Sequence, residues 1–143
     1  MSNLNLLTKN DIEEISKNNI TFKKSPDCKE GMLLIYADWC PHCVQFKPDY
    51  EYLTKMFNDF HKNNKYVFTD ENNKNITLSS KCAPKLWAIN HTDNTDLFNE
   101  VEEYPSIYVI NNIKNNTGTM ELFGETRTLD NILKVFKHID IQK

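Results

Sequence analysis

The sequence has no excess of positive charge. Its 143 residues carry 17 lysine and arginine against 20 aspartate and glutamate, a formal charge of −3. No basic patch is on offer, so nucleic acid is not an expected partner. No apolar run approaches the roughly 20 residues of a membrane-spanning helix, so no membrane partner is expected. The opening residues, Met1-Ser2-Asn3-Leu4-Asn5, lack the basic and apolar regions of a secretory signal. Ile141-Gln142-Lys143 is not an endoplasmic-reticulum retention tail. The expected location is therefore cytoplasmic. A second close pair of metal ligands is missing too: beyond one C-x-x-C, Cys28 and Cys82 stand alone. A zinc ribbon needs that second pair, so no metal is expected. Four cysteines without a secretory signal argue for redox chemistry in a reducing compartment, not for a disulfide framework. Triplets such as Asn75-Ile76-Thr77 then carry no weight as glycosylation sites. The length suits one domain, 1–143, with a core of its own.

What is present centres on Trp39-Cys40-Pro41-His42-Cys43. The segment follows an apolar run, Met32-Leu33-Leu34-Ile35-Tyr36-Ala37, and opens a helical pattern. The run has strand length and reads as a central parallel strand covered on both faces. After it, Phe46, Tyr50, Leu53, Phe57 and Phe60 recur at spacings of four, three, four and three, one face of an α-helix. Pro41 suits the first helical turn, and Pro48 should kink the helix. Cys40 thus sits at a helix N-terminus, where orphan N–H groups and the helix dipole favour a thiolate. Cys43, one turn deeper, is near enough to close a disulfide with it. Such a pair can carry two electrons by thiol–disulfide exchange. Two ordinary core cysteines would be the plain alternative.

The rest of the chain alternates. Thr8 reads as the N-cap of a helix of about ten residues carrying Ile12 and Ile15. A short strand is expected at Ile20–Phe22 and a turn at Ser25-Pro26-Asp27. Tyr66–Thr69 and Ile76–Ser79 suggest a small hairpin or a long loop. Strands are expected at Lys85–Asn90, Ser106–Ile110 and Thr119–Phe123, the last two antiparallel across the turn-rich Asn111–Gly118. A short helix is expected over Thr95–Val101. The final helix has Leu129, Ile132, Leu133, Phe136 and Ile139 on one face, with Thr128 as its cap. The order implies an α/β fold, a three-layer sandwich around a small mixed sheet.

These segments resemble the thioredoxin superfamily, and within it the catalytic domains of protein disulfide isomerases. Tyr36-Ala37-Asp38-Trp39-Cys40-Pro41-His42-Cys43 is similar to their active-site segment, and Lys47-Pro48-Asp49-Tyr50-Glu51-Tyr52-Leu53 to the kinked helix that follows it. Glu103-Tyr104-Pro105-Ser106-Ile107 resembles the segment of the family's cis-proline. Phe123-Gly124 with Arg127 resembles the end of the last strand and the loop beyond it. The likeness runs from about Leu4 to Ile139 and is broken at 61–83, an apparent insertion. It implies a thioredoxin fold, Cys40 as attacking thiol and Cys43 as resolving thiol. His42 and Arg127 would stabilise thiolates. Trp39, Pro41, Tyr104 and Pro105 would contact substrate, with the Tyr104 backbone pairing to an extended chain. It implies no cofactor, a monomer, protein substrates with disulfides or dithiols, and a recycling reductase or oxidase.

Two departures stand out. The family's buried acid behind the disulfide is matched here by Leu34, and its buried lysine by Ile89. Pro41 replaces a glycine of the isomerases; Pro-His is the pair of strongly oxidising bacterial disulfide-forming proteins. The rival reading is a thioredoxin-like module that binds a partner with little turnover. The asparagine-rich composition suits a large DNA virus, where a place in the virion would be an alternative location, or an AT-rich protist. Cys28 and Cys82 precede two neighbouring parallel strands, so both are expected at the sheet end remote from Cys40, close enough to pair or, the favoured reading, as two unrelated free thiols. Replacing both by serine is expected to leave disulfide-reducing activity intact; its loss in a folded variant would move the redox pair away from Cys40 and Cys43.

Overall fold

Every residue of Gly31–Tyr36 is buried, which places this strand in the middle of the sheet with apolar matter on both faces. The computed structural model describes residues 4–26, 28–59, 65–69, 73, 75–79, 84–99 and 101–140. In chain order its elements are β1 (Asn5–Leu6), β2 (Ile12–Ile15), β3 (Asn19–Phe22), β4 (Gly31–Tyr36), α1 (Pro41–Asp59), β5 (Lys65–Thr69), β6 (Asn75–Ser79), β7 (Lys85–Asn90), β8 (Ser106–Lys114), β9 (Thr117–Leu122) and α2 (Leu129–Asp140). Seven strands form one sheet in the order β1-β7-β4-β8-β9-β3-β2. β4 runs parallel to β7 and antiparallel to β8, so the sheet is mixed. β5 and β6 pair antiparallel as a separate hairpin, within the stretch expected as an insertion.

Side chains alternate across the sheet. Met32, Leu34 and Tyr36, with Leu86, Ala88, Ile107 and Val109, face α1 and α2. Phe46, Tyr50, Leu53 and Phe57 of α1 fill that side, as their helical spacing anticipates. Tyr50 is fully buried, and its hydroxyl donates to the Trp87 carbonyl at 2.6 Å, tying α1 to β7. Leu33, Ile35, Trp87, Ile89, Tyr108 and Ile110 face the other way. That second face is covered by Leu7, Phe98 and side chains of β2, β3 and β9, and the two helices expected from Thr8 and over Thr95–Val101 are not among the described elements.

Both of those helices are corrected. Residues 8–11 form a turn, with the Thr8 and Asp11 side chains bonded at 3.3 Å, and Ile12–Ile15 is a strand. A bulge between Ile12 and Glu14 explains the misleading spacing. An extra residue brings Ile12 and Ile15 to the same apolar cluster, mimicking a helical interval. Residues 95–99 are turns, because Phe98 has a positive φ of 52° that a right-handed helix cannot contain. The turn expected over Asn111–Gly118 shrinks to Asn115-Asn116, both at positive φ, between paired Lys114 and Thr117. Two asparagines in that conformation suit a two-residue hairpin loop. Thr128 caps α2 as expected, its hydroxyl accepting from the Asn131 N–H at 3.2 Å. Phe60 and Cys82 lie outside the described residues.

The start of β4 has no room for a side chain. A Cβ on Gly31 would lie 2.5 Å from the Lys85 carbonyl oxygen and 2.4 Å from the Trp87 ring. Gly31→Ala is therefore expected to destabilise the fold by roughly 1–3 kcal/mol, the usual range for overpacking. Urea unfolding measures it, and an unchanged midpoint would contradict this packing.

Candidate active site

Cys40 is placed by the geometry of a strand end running into a helix. The chain leaves β4 at Tyr36, and the Cys40 N–H donates back to the Ala37 carbonyl at 3.2 Å. The Cys40 carbonyl accepts from the N–H groups of Cys43 and Val44, both at 3.1 Å, so Cys40 is the N-cap of α1. Pro41 opens the helix, and no acidic residue lies in its first turn. The Cys40 sulfur is the group positioned to answer the positive end of the dipole. Cys43 stands one turn on, and both are free, buried thiols.

The Cys40 thiol donates to the Tyr104 carbonyl at 3.3 Å. The Tyr104–Pro105 peptide bond is cis. Trp39, 68% exposed, packs edge-on against the Tyr104 ring with centroids 5.4 Å apart. The Tyr104 hydroxyl bonds His91 Nδ1, and His91 Nε2 bonds the Leu97 carbonyl at 2.8 Å. A carbonyl only accepts, so Nε2 carries the proton, and in the neutral ring Nδ1 accepts from tyrosine. His91 is itself buried, with its N–H on the Tyr36 carbonyl at 2.7 Å. Asn90 donates to Asp38 at 3.0 Å, and the Asp38 N–H donates to Thr92 at 2.9 Å. The loop after β7 thus braces both Tyr104 and the loop entering Cys40. Sequence reasoning missed this brace. Its available signal was the polar run Asn90-His91-Thr92-Asp93 directly after a strand.

The two thiols differ electrostatically. Burial alone would push Cys40 up, but hydrogen bonds from the Cys43 backbone and side chain and the His42 N–H, together with the positive charge of Arg127, hold it below the usual thiol range. Burial pushes Cys43 up to about 11; hydrogen bonding and charge at Cys40 add to this, against the Ala37 N–H and Arg127. Burial and the Cys43 charge raise Tyr104. His42 thus acts on Cys40 through its backbone, and its exposed side chain borders a cavity of about 270 Å³ with Phe46, Asp49 and Arg127. Arg127, the chain's sole arginine, also borders a second cavity of about 240 Å³ with Glu103, Pro105, Ile107 and Phe123. All eight anticipated site residues therefore gather at one end of the sheet.

Leu34 is buried in the same cluster as Cys40 and Cys43, so no carboxylate lies there. Ile89 faces the opposite side of the sheet, which corrects its alignment with the family's lysine; Ala88 is the β7 residue on the cysteine side, paired with Leu34. Cys28 is buried ahead of β4, at the other end of the sheet from Cys40. It is not a free thiol, which overturns the favoured of the two readings. Among the described residues, no group of three or more His, Cys, Asp or Glu could hold a metal ion. No helix among them is long and apolar enough to cross a membrane.

Solved structures share this architecture. ERdj5 in form II aligns over 95% of this chain and 14% of its own, with a TM-score of 0.59 and 13% identity. The zinc-bound form of human ERp44 aligns over 78% of this chain and 27% of its own, with a TM-score of 0.53 and 12% identity. This chain has a thioredoxin fold. The first two thioredoxin domains of Saccharomyces cerevisiae Eps1p align over 76% of this chain and 33% of their own, with a TM-score of 0.49 and 18% identity. The thioredoxin-fold chain thus spans a third or less of each of these structures. No protein-family model and no curated protein matches the sequence.

Within this thioredoxin fold, the Cys40 environment makes a kinetic prediction. The rate of Cys40 alkylation against pH is expected to show a midpoint below the free-thiol value of about 8.5. Arg127→Ala should move that midpoint upward. A midpoint at or above the free-thiol value would contradict the assigned electrostatics.

Proposed function

We propose that the chain is a thiol–disulfide oxidoreductase acting on protein disulfides or dithiols. The observation that carries this reading is the asymmetry of the cysteine pair. One thiol is held low at a helix N-terminus; its neighbour is buried and held high. A nucleophile and a resolving group need that division of labour. The Cys40 thiolate attacks a substrate disulfide, and one substrate sulfur leaves as a thiolate and is protonated. Cys43, once deprotonated, attacks the Cys40 sulfur. The Cys40–Cys43 disulfide forms, the mixed disulfide breaks, and the second substrate thiol departs. Two electrons have passed from the dithiol to the substrate. The reverse sequence oxidises a substrate dithiol.

An extended substrate segment would lie along Tyr104 and Pro105, beside exposed Trp39, in the cavity that reaches Ile107 and Phe123. Protein substrates and a recycling reductase or oxidase are the partners this chemistry requires. Cytoplasmic location, a monomeric state and independence from metals or organic cofactors belong to the same proposal.

Leu34 supports a second reading, a thioredoxin-like module that docks a partner and turns over little, because the β4 side chain packed in the cluster with Cys43 is a leucine and not a carboxylate. Insulin reduction separates the two. The oxidoreductase reading expects turnover that Cys40→Ser abolishes; stable binding with no turnover by the intact chain supports the module. A redox titration of the pair then fixes direction: about −270 mV marks a reductant and about −120 mV an oxidant.

A further inference from the structure

Cys43 must lose a proton before it can attack, and it is only 2% exposed. The side of β4 facing it offers Leu34, which can take no proton. A different route is open. A cavity of about 180 Å³ reaches Cys43 from the surface, bordered by Tyr36, Asp38, Lys47 and Glu51. A cavity of roughly 10–15 Å³ of probe-occupied volume holds one water, so this one has room for several. Val44 and Pro48 also border it. Pro48 has no N–H to give the Val44 carbonyl within the helix.

The charged groups are ordered along this cavity. Cys43, Lys47 and Glu51 follow at intervals of four on α1, one stripe of the helix. Asp38 also borders the cavity and accepts from the Asn90 side-chain amide at 3.0 Å. Burial first, then the charges of Asp38, Asp93, Glu51 and Cys43, push the Tyr36 hydroxyl up to about 12, so these anionic groups surround one phenol. Lys47 Nζ lies 5.2 Å from the Tyr36 ring centroid. Cys43 also interacts with Cys40 by a side-chain hydrogen bond and electrostatically with Arg127 and Tyr104.

We propose that Asp38 and Glu51 relay the Cys43 proton to solvent through this cavity, taking the part of the carboxylate that Leu34 replaces. The proposal rests on the oxidoreductase reading above. In the mixed disulfide, the Cys43 thiol passes its proton through cavity water to a carboxylate. The thiolate attacks Cys40 Sγ; the Cys40–Cys43 bond forms as the Cys40–substrate bond breaks. The substrate sulfur leaves with the electron pair and takes a proton from water, while the carboxylic acid returns its proton to solvent.

Single-turnover reaction of the reduced chain with 5,5′-dithiobis(2-nitrobenzoate) tests the relay. The first nitrothiobenzoate released reports attack by Cys40 and the second reports resolution by Cys43. In the Asp38→Asn, Glu51→Gln double variant, the second phase is expected to slow roughly ten- to a hundredfold near neutral pH, by loss of general acid–base assistance. Its pH midpoint should rise, and added acetate should restore the rate. Glu51→Asp in the Asp38→Asn background should retain part of it. A second phase unchanged at every pH, or slowed without rescue by acetate, overturns the relay and leaves the oxidoreductase reading standing. A wild type with a first phase only overturns that reading and the relay with it.

Discussion

Burial of β4 on both faces is the constraint from which the rest of the architecture follows. Its six residues lie between two apolar clusters, so each neighbouring strand must supply side chains to both. β7 and β8 do so, residue by residue, in register. α1 can lie on only one of the resulting faces, and the buried Tyr50 hydroxyl fixes it against β7. With strand and helix fixed, the short link between them has one place to go. Cys40 ends up on the N-terminus of α1, at the edge of the packed core.

That placement makes chemically identical groups unequal. Cys40 and Cys43 are three residues apart and share one helical turn. Hydrogen bonds at the helix N-terminus outweigh burial for Cys40, whereas burial dominates for Cys43. The difference depends on the loop after β7 as much as on the helix. Through His91 it holds Tyr104, whose carbonyl meets the Cys40 thiol. Through Asn90 it holds Asp38, two residues before that thiol.

Legibility of the sequence followed how local the cause was. The α1 stripe and the apolar β4 run were readable because a period or a run is a property of contiguous residues. Ile12 and Ile15 were misread because a bulge in a strand reproduces a helical interval. Residues 95–99 were misread because no rule of spacing foretells that Phe98 takes a left-handed conformation. The hairpin after β8 was placed too broadly, since six of the residues from Asn111 to Gly118 are Asn, Thr or Gly and only Asn115-Asn116 make the loop. The brace through His91 was missed, because the polar run after β7 does not say which side chains of other segments, Tyr104 and Asp38, it will meet.

The sequence by itself determined the cysteine pair, its position between a buried strand and a helix, and the absence of a carboxylate at Leu34. Each of these is written in neighbouring residues and their order. Tertiary structure alone decided which residues surround the pair. It turned Ile89 to the far face, brought Arg127 and Pro105 to the cysteines, and opened a cavity from Cys43 to Asp38 and Glu51. These are consequences of strand register, helix placement and packing, which fix distances between residues that the chain order leaves remote.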